Sequence, residues 1–440
     1  MFNNALLMGA AAQGGDSLAT IDNSVLFEGA GTLTFTPSTT ETNGKKYTHS
    51  LWANHYQLTN YTHSGYNDYI YSSATVVGYP SEISFHTSND GIYVMNTNGS
   101  SYSGYKQSTA QYRDLGAWYH VFVVFDSTLS VAGDRLQVFI NGKRITAWTQ
   151  DVDPGADSIT SVGKGSVQQI YGTYYNLYRD LNARLAEIYF VDGTALDVTD
   201  FGEYDSTGLY WTPKDPATIA DTVTYGNNGW YLNFSNASNL GEDFSGNDND
   251  FVAANLTQSF NTPTNQYPYQ NPLTLTNSYP SSLTKGNLKQ TGNSAGSFAS
   301  GTLATLPCDG GGKFYWEIKV IGTYTTNGYS SIGIAPMDLP RYDNVDPNGN
   351  FCLPGQQDYQ GVSTTFNTGT TTNLRANSLG VNDNIGSSYT VATGSFMQIA
   401  FDSATQKVWF GKDNTWYNSG DPANGTNPTV TLTATDKFWY

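Results

Sequence analysis

Short apolar runs separated by turn residues dominate the chain. Residues 119–125 and 136–140 are β-branched and aromatic runs, and the pair Asn141-Gly142 follows the second run directly. Both residues of a tight hairpin turn must accept positive φ, which Asn and Gly do readily. An Asn-Gly pair after such a run therefore predicts a β-hairpin that continues into residues 143–145.

The same signals recur further along the chain. Residues 183–191 form another strand-like run that ends at an Asp-Gly turn. Residues 314–320 alternate strictly between large apolar and polar side chains, which is the period of a half-buried strand. Residues 396–401 and 407–410 predict a second hairpin around a four-residue turn. The predicted fold class is all-β, with two β-sandwich (jelly-roll) domains.

Residues 236–300 interrupt this pattern, because Asn, Thr, Ser, Pro and Gln are dense there. Such a stretch predicts an extended connector with only short strands. We divide the chain into four parts at this point. They are an N-terminal arm (1–20), a first β-sandwich (21–235), an extended connector (236–285) and a second β-sandwich (286–440).

The amino-acid composition argues against several classes of protein. The chain has 440 residues, a net charge of −17, 13% charged residues and 14% aromatic residues. Binding to phosphates requires Lys and Arg, so this acidic balance argues against a nucleic-acid partner. The aromatic supply argues against disorder, and the Gly and Tyr content argues against helical bundles.

The N-terminus contains a short apolar segment but no stretch long enough to span a membrane. The first basic residue is Lys45, so the positive region of a signal peptide is missing. We interpret the segment as an anchoring arm that docks on a partner surface, with no membrane insertion. Its anchoring residues would be Phe2, Leu6, Leu7 and Met8.

Catalytic and redox motifs are weak. The five histidines all precede residue 121, and His49 and His120 lie in strand-like runs, where a structural role is expected. A jelly-roll glycosidase needs two carboxylates at a fixed separation, whereas Glu187 and Glu317 are single strand carboxylates. Gly-x-Ser-x-Gly at 292–296 lacks the strand, helix and histidine of a nucleophile elbow. Cys308 and Cys352 could form a disulfide, but two buried free thiols are expected.

Calcium is the ion that the sequence suits best, because it binds carboxylate, amide and carbonyl oxygens on loops. The loop at 242–250 offers Asp243, Asn247 and Asn249 as ligands, and the loop at 343–350 is a weaker candidate. Neither matches a known calcium loop. The alternative is that Asp, Asn and Gly cluster here because they favour turns.

Tyrosines interleaved with Asn and Asp form two further clusters. Tyrosine rings stack on the apolar faces of sugars, and the amides and carboxylates pair with hydroxyl groups. The same residues would also suit a protein interface, or simply the face of a strand. The candidate ligand-binding residues are Tyr56, Tyr61, Tyr66, Tyr69, Tyr174, Tyr175 and Tyr178.

Two segments of the first sandwich carry a resemblance to a known family. Residues 114–126 lead into 134–142, with a Trp-containing strand and then a strand ending in Asn-Gly. This pattern, with 184–201 as closing strands, resembles laminin-G-like domains of the concanavalin-A-like lectin class over about residues 22–235. The resemblance implies a two-sheet jelly roll.

The second sandwich resembles a SPRY domain. The matching segments are 312–317, 331–335, 399–402 and 407–412. The resemblance implies a second β-sandwich, usually one that binds proteins. Because SPRY domains continue for one or two more strands, we expect the natural chain to extend beyond Tyr440.

The order of arm, laminin-G-like domain, connector and SPRY-like domain resembles virion proteins of tailed bacteriophages. It implies a non-enzymatic tail fibre or capsid-surface appendage on the virion surface, made in the host cytoplasm. Its expected partners are capsid or tail proteins, further copies of itself in a homo-oligomer such as a trimer, and a host-surface glycan. The alternatives are a glycan depolymerase and a capsid decoration protein that only stabilises the shell.

Overall fold

The computed structural model describes residues 19–58, 67–74, 80–170, 181–274, 282–291, 302–308, 311–322, 330–335, 361–366, 373–377, 383–384 and 391–432. In these ranges the fold is all-β, as predicted, with one short helix, α1 (Pro216–Thr222). Asp215 caps this helix by accepting a hydrogen bond from the Ala217 backbone N–H, and Pro216 takes its first position. No helix in the described ranges has the length and apolarity needed to cross a membrane.

The chain divides into two compact units, Met1–Tyr267 and Pro268–Tyr440. The first unit is a sandwich of two antiparallel sheets. The first sheet has the order β10-β9-β8-β3-β13-β1-β18, with β16 also paired to β13. Its strands are β1 (Ser24–Phe27), β3 (Lys46–His55), β8 (Tyr119–Asp126), β9 (Leu136–Ile140), β10 (Lys143–Arg144), β13 (Ala183–Asp192), β16 (Trp230–Leu232) and β18 (Thr257–Ser259).

The second sheet of this unit has the order β11-β7-β6-β5-β4-β12-β2-β17. Its strands are β2 (Thr32–Phe35), β4 (Asp68–Ala74), β5 (Ser81–Phe85), β6 (Ile92–Thr97), β7 (Tyr102–Ser108), β11 (Trp148–Val152), β12 (Val167–Ile170) and β17 (Val252–Ala254).

Alternating side chains of both sheets meet in one buried core. Val121, Val123 and Phe125 of β8 face Ile83 and Phe85 of β5 within this cluster. The predicted hairpin is confirmed, since β9 pairs with β10 around Asn141 and Gly142, whose φ angles are 48° and 74°. The core thus follows directly from period-two strands that bury one face.

The outer face of the first sheet is also covered, by the chain between β13 and β16. Phe122, Tyr189, Phe201, Ile219 and Tyr231 form a second buried cluster there. The covering segment includes α1 and the hairpin β14 (Gly202–Tyr204) and β15 (Trp211–Pro213). This sheet is therefore enclosed on both sides, whereas the second sheet exposes side chains of β7 and β11.

The predicted connector differs from the structure in its first part. Within residues 236–267, β17 pairs with β2 of the second sheet, and β18 pairs with β1 of the first sheet. Phe251 is buried in the core of the sandwich. This segment has short strands, as the sequence suggested, but it is integral to the first unit because apolar residues separate its turn-forming ones.

The second unit contains a five-stranded and a four-stranded antiparallel sheet and a small hairpin. Ile332 and Ile334 of the four-stranded sheet pack against Ile399, Phe401 and Phe410 of the five-stranded one. The strands are β19 (Ser282–Thr284), β20 (Lys289–Thr291), β21 (Lys313–Lys319), β22 (Ser330–Ile334), β23 (Gly361–Phe366), β24 (Asn373–Asn377), β25 (Asp383–Asn384), β26 (Phe396–Asp402), β27 (Lys407–Lys412), β28 (Thr415–Trp416) and β29 (Val430–Thr431).

Several sequence predictions concern residues outside the described ranges. They include the N-terminal arm with Phe2, Leu6, Leu7 and Met8, the loop at 343–350, the motif at 292–296 and Cys352. Cys308 is described and carries a free thiol. Burial raises the pKa of that thiol to about 12, so it stays protonated at neutral pH.

Candidate ligand-binding face

Strands β5, β6, β7 and β11 direct alternate side chains to the outer face of the second sheet, where those of β5 are buried and those of β11 are exposed. Ile83, Ile92 and Val94 point into the core, so their neighbours along each strand point outward. The paired register places outward residues of the four strands side by side in two cross-strand rows. One row is Ser84, Tyr93, Gln107 and Gln150, and the other is Glu82, Met95, Tyr105 and Val152.

Three tyrosines dominate this surface, which we call the tyrosine face (Tyr93, Tyr102 and Tyr105 with the polar residues of the two rows). The ring centroids of Tyr93 and Tyr105 are 6.5 Å apart, and those of Tyr102 and Tyr105 are 6.4 Å apart. His86 packs edge-on against Tyr93 at 5.5 Å. Tyr102 is 53% exposed, and the others are half-buried, so ring surface remains open to a ligand.

Polar groups on the tyrosine face are held by hydrogen bonds. The Gln107 amide donates to Ser88 Oγ at 3.4 Å and to Asn89 Oδ1 at 3.3 Å. Glu82 accepts from Asn67 Nδ2 at 2.9 Å and from Ser84 Oγ at 3.1 Å. Gln107 and Glu82 are buried, so these hydrogen bonds fix the layer beneath the tyrosine rings, and a rigid layer reduces the entropy lost when a ligand binds to the rings.

The pKa shifts of Tyr93 and His86 keep both side chains uncharged at neutral pH. Burial, together with the nearby Glu82 carboxylate, raises the pKa of Tyr93, so its phenol remains a donor at neutral pH. Burial lowers the pKa of His86, so its imidazole is uncharged above pH 7. The face therefore offers aromatic rings, amides and hydroxyls with little positive charge.

The predicted tyrosines fall in three different places. Tyr69 pairs with Ser84, so it lies on the outer side of the same sheet, although it is only 5% exposed. Tyr56 is buried inside the sandwich, where its hydroxyl donates to the Phe27 carbonyl at 2.8 Å and Arg184 stacks on its ring. The other five predicted tyrosines lie outside the described ranges: Tyr61, Tyr66, Tyr174, Tyr175 and Tyr178.

Sequence reasoning missed Tyr93, Tyr102 and Tyr105. The signal that could have found them is the alternation in 92–95, where Ile92 and Val94 are apolar and Tyr93 stands between them. The density of tyrosines in the sequence pointed to Tyr56, but this residue directly follows β3 and is buried. The alternation of apolar and polar residues along a strand therefore indicates the side of the sheet on which a tyrosine lies better than the local density of tyrosines does.

The predicted calcium loop is a hydrogen-bonded turn in the structure. The two Asp243 oxygens accept from four donors, namely the backbone N–H groups of Tyr231, Ser245 and Asn249 and the Ser245 hydroxyl. Asn247 and Asn249 direct their amide N–H₂ groups to the Gly229 carbonyl. Because the carboxylate lone pairs face protein donors, this geometry gives the calcium prediction no support.

No cluster of three or more His, Cys, Asp or Glu that could hold a metal occurs in the described ranges. His49 and His120 are buried in strands, as the sequence predicted for structural histidines. Burial lowers the pKa of each to about 3, so both rings are neutral. Trp211 Nε1 donates to His120 Nδ1 at 2.9 Å, and Ser50 Oγ lies 2.8 Å from His120 Nε2.

Glu187 carries a strongly perturbed carboxyl group in the described part of the first unit. It sits at an irregularity in the pairing of β13 with β3, with φ of 49°, and is buried beneath the covering segment. Its Oε2 accepts hydrogen bonds from Tyr189 and Tyr231, each 2.6 Å long. Burial raises its pKa to about 7. The group is enclosed, so it contributes to packing and does not face a ligand.

Solved structures with a similar arrangement of strands were found for most of the chain. A native heptameric SAP-like pentraxin from Limulus polyphemus aligns over 56% of this chain and 99% of its own, with 17% identity and a TM-score of 0.34. Domains LG4-5 of the mouse laminin alpha1 chain align over 96% of this chain and 88% of theirs, with 9% identity and a TM-score of 0.33.

The LG1-3 region of the laminin alpha2 chain gives 9% identity and a TM-score of 0.33, over 97% of this chain and 60% of that one. No protein-family model and no curated protein matches the sequence. Alignments at these identities and TM-scores transfer neither a ligand nor an activity to this chain. The structural neighbours of the chain thus include laminin G domains and a pentraxin.

Proposed function

We propose that this protein is a non-enzymatic virion protein of a tailed phage, a tail fibre or a capsid-surface appendage that contacts host-surface glycans. The observation that carries the glycan contact is the tyrosine face, where exposed and half-buried tyrosine rings lie beside the exposed amide of Gln150. Stacking on a ring and hydrogen bonds to hydroxyls are the two interactions that a sugar offers. The assignment to a virion is supported by the resemblance in domain order.

A non-enzymatic role is supported by the surroundings of Asp205. This residue lies two positions after Glu203, and a jelly-roll glycosidase would need two such carboxylates. Asp205 Oδ1 accepts from the backbone N–H groups of Leu209 and Tyr210, which makes it a turn cap. Asp205 and Glu203 thus lack the arrangement of an acid and a nucleophile on either side of one bond.

The N-terminal arm would anchor the protein to the capsid or tail, and copies assembled as a homo-oligomer such as a trimer would bind with avidity. The SPRY-like unit would extend the projecting part. Deleting residues 1–20 should leave a folded protein that no longer enters particles. Normal incorporation of this deletion would exclude the anchoring role.

The glycan contact is tested by binding of the full chain to an array of bacterial surface glycans. The double variant Y93A/Y105A should lose at least about tenfold in affinity, because both stacking surfaces are removed. The matched control is Y204A, which removes an exposed tyrosine from β14, outside the tyrosine face. Equal affinity of the double variant and the control would overturn the proposal.

A reducing-sugar assay on any glycan that binds separates adhesion from depolymerisation. Adhesion predicts no release of reducing ends over many hours. Sustained turnover would replace the proposal with a glycan depolymerase.

A further inference from the structure

The second unit carries an exposed cluster of aromatic and polar side chains on the outer face of its five-stranded sheet. The register aligns Glu317 of β21, Gln398 of β26, Gly411 of β27 and Trp416 of β28 in one cross-strand row. Tyr315 lies on the same face, two residues before Glu317. We call these five residues the Tyr315 cluster.

Hydrogen bonds hold the polar members of the cluster in place. The Tyr315 hydroxyl donates to Glu317 Oε1, and Gln398 Nε2 donates to the Tyr315 oxygen at 2.6 Å and to Glu317 Oε1 at 3.1 Å. The Asn414 backbone N–H donates to Gln398 Oε1 at 2.6 Å. Gln398 is buried, so it forms a rigid floor under two groups that reach the solvent.

The aromatic members present open surface above this floor. Tyr315 is 53% exposed, and its ring meets Trp416 edge to face with centroids 6.2 Å apart. The indole can lie over β27 only because residue 411 is glycine, since a Cβ there would stand 2.9 Å from Trp416 Cε3. The exposed phenol ring, with the exposed Glu317 carboxylate beside it, forms a flat apolar surface with a polar rim.

The charges around the cluster balance. Asp413 pairs with Lys412 at 3.0 Å, and Lys319 stands two residues from Glu317 on the same face, with its Nζ 5.2 Å from the Phe396 ring. The edge-to-face contact of Tyr315 with Trp416 leaves no space between the rings for an ammonium group. A neutral ligand with one apolar face and several hydroxyls matches this surface better than a cation or an anion does.

We propose that the Tyr315 cluster is a second saccharide-binding site, which stacks a neutral sugar ring on Tyr315 and accepts hydroxyl hydrogen bonds at Glu317. This goes beyond the proposed function, which places glycan contact on the first unit. Two sites on one chain would add avidity to weak single contacts.

The test is saturation-transfer NMR of the full chain with maltohexaose, xylohexaose, mannotriose and galactobiose. At least one of these probes should bind the wild-type protein, and Y315A and E317A should each weaken that binding about tenfold or more. G411A should weaken it too, by displacing Trp416. The matched control L288A removes an exposed apolar side chain from the separate β19–β20 hairpin and should bind as the wild type does.

The same probes on Y93A/Y105A distinguish the two sites. Binding that survives in Y93A/Y105A but is lost in Y315A supports the Tyr315 cluster, whatever becomes of the tyrosine face. Binding that is abolished by Y93A/Y105A and unchanged in Y315A and E317A overturns this proposal and supports the first site. Absence of binding to all four probes by the wild-type protein also overturns it. Circular dichroism of each variant checks that folding is intact. Y315A and E317A should fold normally, because both side chains are exposed.

Discussion

At the scale of single residues, Glu187 is a carboxyl group held away from water in the first unit. Its carboxyl accepts from two tyrosine hydroxyls whose rings, those of Tyr189 and Tyr231, stack 4.2 Å apart. The dominant effect on its pKa is burial, which penalises the charged form more than the two hydrogen bonds stabilise it. In the native state Glu187 therefore keeps its proton up to about pH 7.

This preference predicts a pH dependence of stability. Burial raises the pKa of Glu187 from its ordinary value of 4.5 to about 7. Between those values the unfolded chain has lost the proton and the native protein still holds it, so the free energy of unfolding falls as pH rises. We expect E187Q, which cannot ionise, to gain about 2 to 3 kcal/mol relative to wild type between pH 5 and pH 8.

Urea unfolding at several pH values measures this difference. The control is E203Q, which neutralises an exposed carboxylate on β14 and should shift stability by no more than about 0.5 kcal/mol at any pH. A constant difference between E187Q and wild type across the range would show that Glu187 is charged in the native protein.

Gly142 provides a second test at this scale. Its φ is 74°, and a Cβ at this position would stand 2.3 Å from the Trp211 ring. G142A should therefore destabilise the protein by about 3 kcal/mol, from backbone strain and overpacking together. G155A is the matched control, since a Cβ there meets no atom within 4 Å. Equal melting temperatures of the two variants would contradict the packing described.

At the scale of elements, the segment 251–264 closes the first sandwich. After Phe251 enters the core, β17 and β18 extend one sheet each, and Asn261 Oδ1 accepts from Trp118 Nε1 at 3.0 Å. Thr264 Oγ1 accepts from the Ile21 backbone N–H at 2.8 Å. These contacts join the start of the unit to its end, across more than two hundred residues.

The closing role predicts where the unit can be cut. A fragment that ends at residue 267 should fold and unfold cooperatively, whereas one that ends at residue 235 leaves β1 and β2 without their edge partners. The shorter fragment should aggregate or lose near-ultraviolet circular dichroism, since it also lacks Phe251. A soluble 1–235 fragment with native spectra and unchanged stability would show that 251–264 is dispensable.

At the scale of the whole molecule, the net charge of −17 is carried by few charged residues, and the two proposed ligand surfaces consist mainly of aromatic and uncharged polar side chains. Such a chain has no electrostatic means of concentrating anionic ligands, and a neutral glycan would experience little of its field. We therefore expect the charge to favour solubility, and the proposed binding of a glycan to depend on ring stacking and hydrogen bonds.

Binding to a neutral glycan should therefore change less than about twofold between about 0.05 M and 0.5 M NaCl, because screening removes only charge interactions. Titration calorimetry at the two salt concentrations measures this. Retention on heparin or DNA columns serves as the comparison, and we expect none. A steep loss of glycan affinity with salt would indicate that an anionic ligand is bound through Lys and Arg instead.

The sequence by itself determined the all-β class, the strands near 119–125, 136–140 and 396–410, and the hairpin at Asn141 and Gly142. These features are local, since a period of two and a turn that needs positive φ are properties of a few consecutive residues. The resemblance to laminin-G-like domains rests on the same strands.

Only the tertiary structure decided which tyrosines reach the solvent. Tyr56 is enclosed and Tyr93 lies on an outer face, although both occur in strand-like sequence. Likewise Asp243 has the residue type of a calcium ligand, yet its oxygens accept from the backbone of β16 and of its own loop. The side of the sheet to which a side chain points, and the groups with which it forms hydrogen bonds, depend on the register between strands that are distant in sequence. The pairing of Ser24 with Ser259 is an example, and no local sequence pattern specifies it.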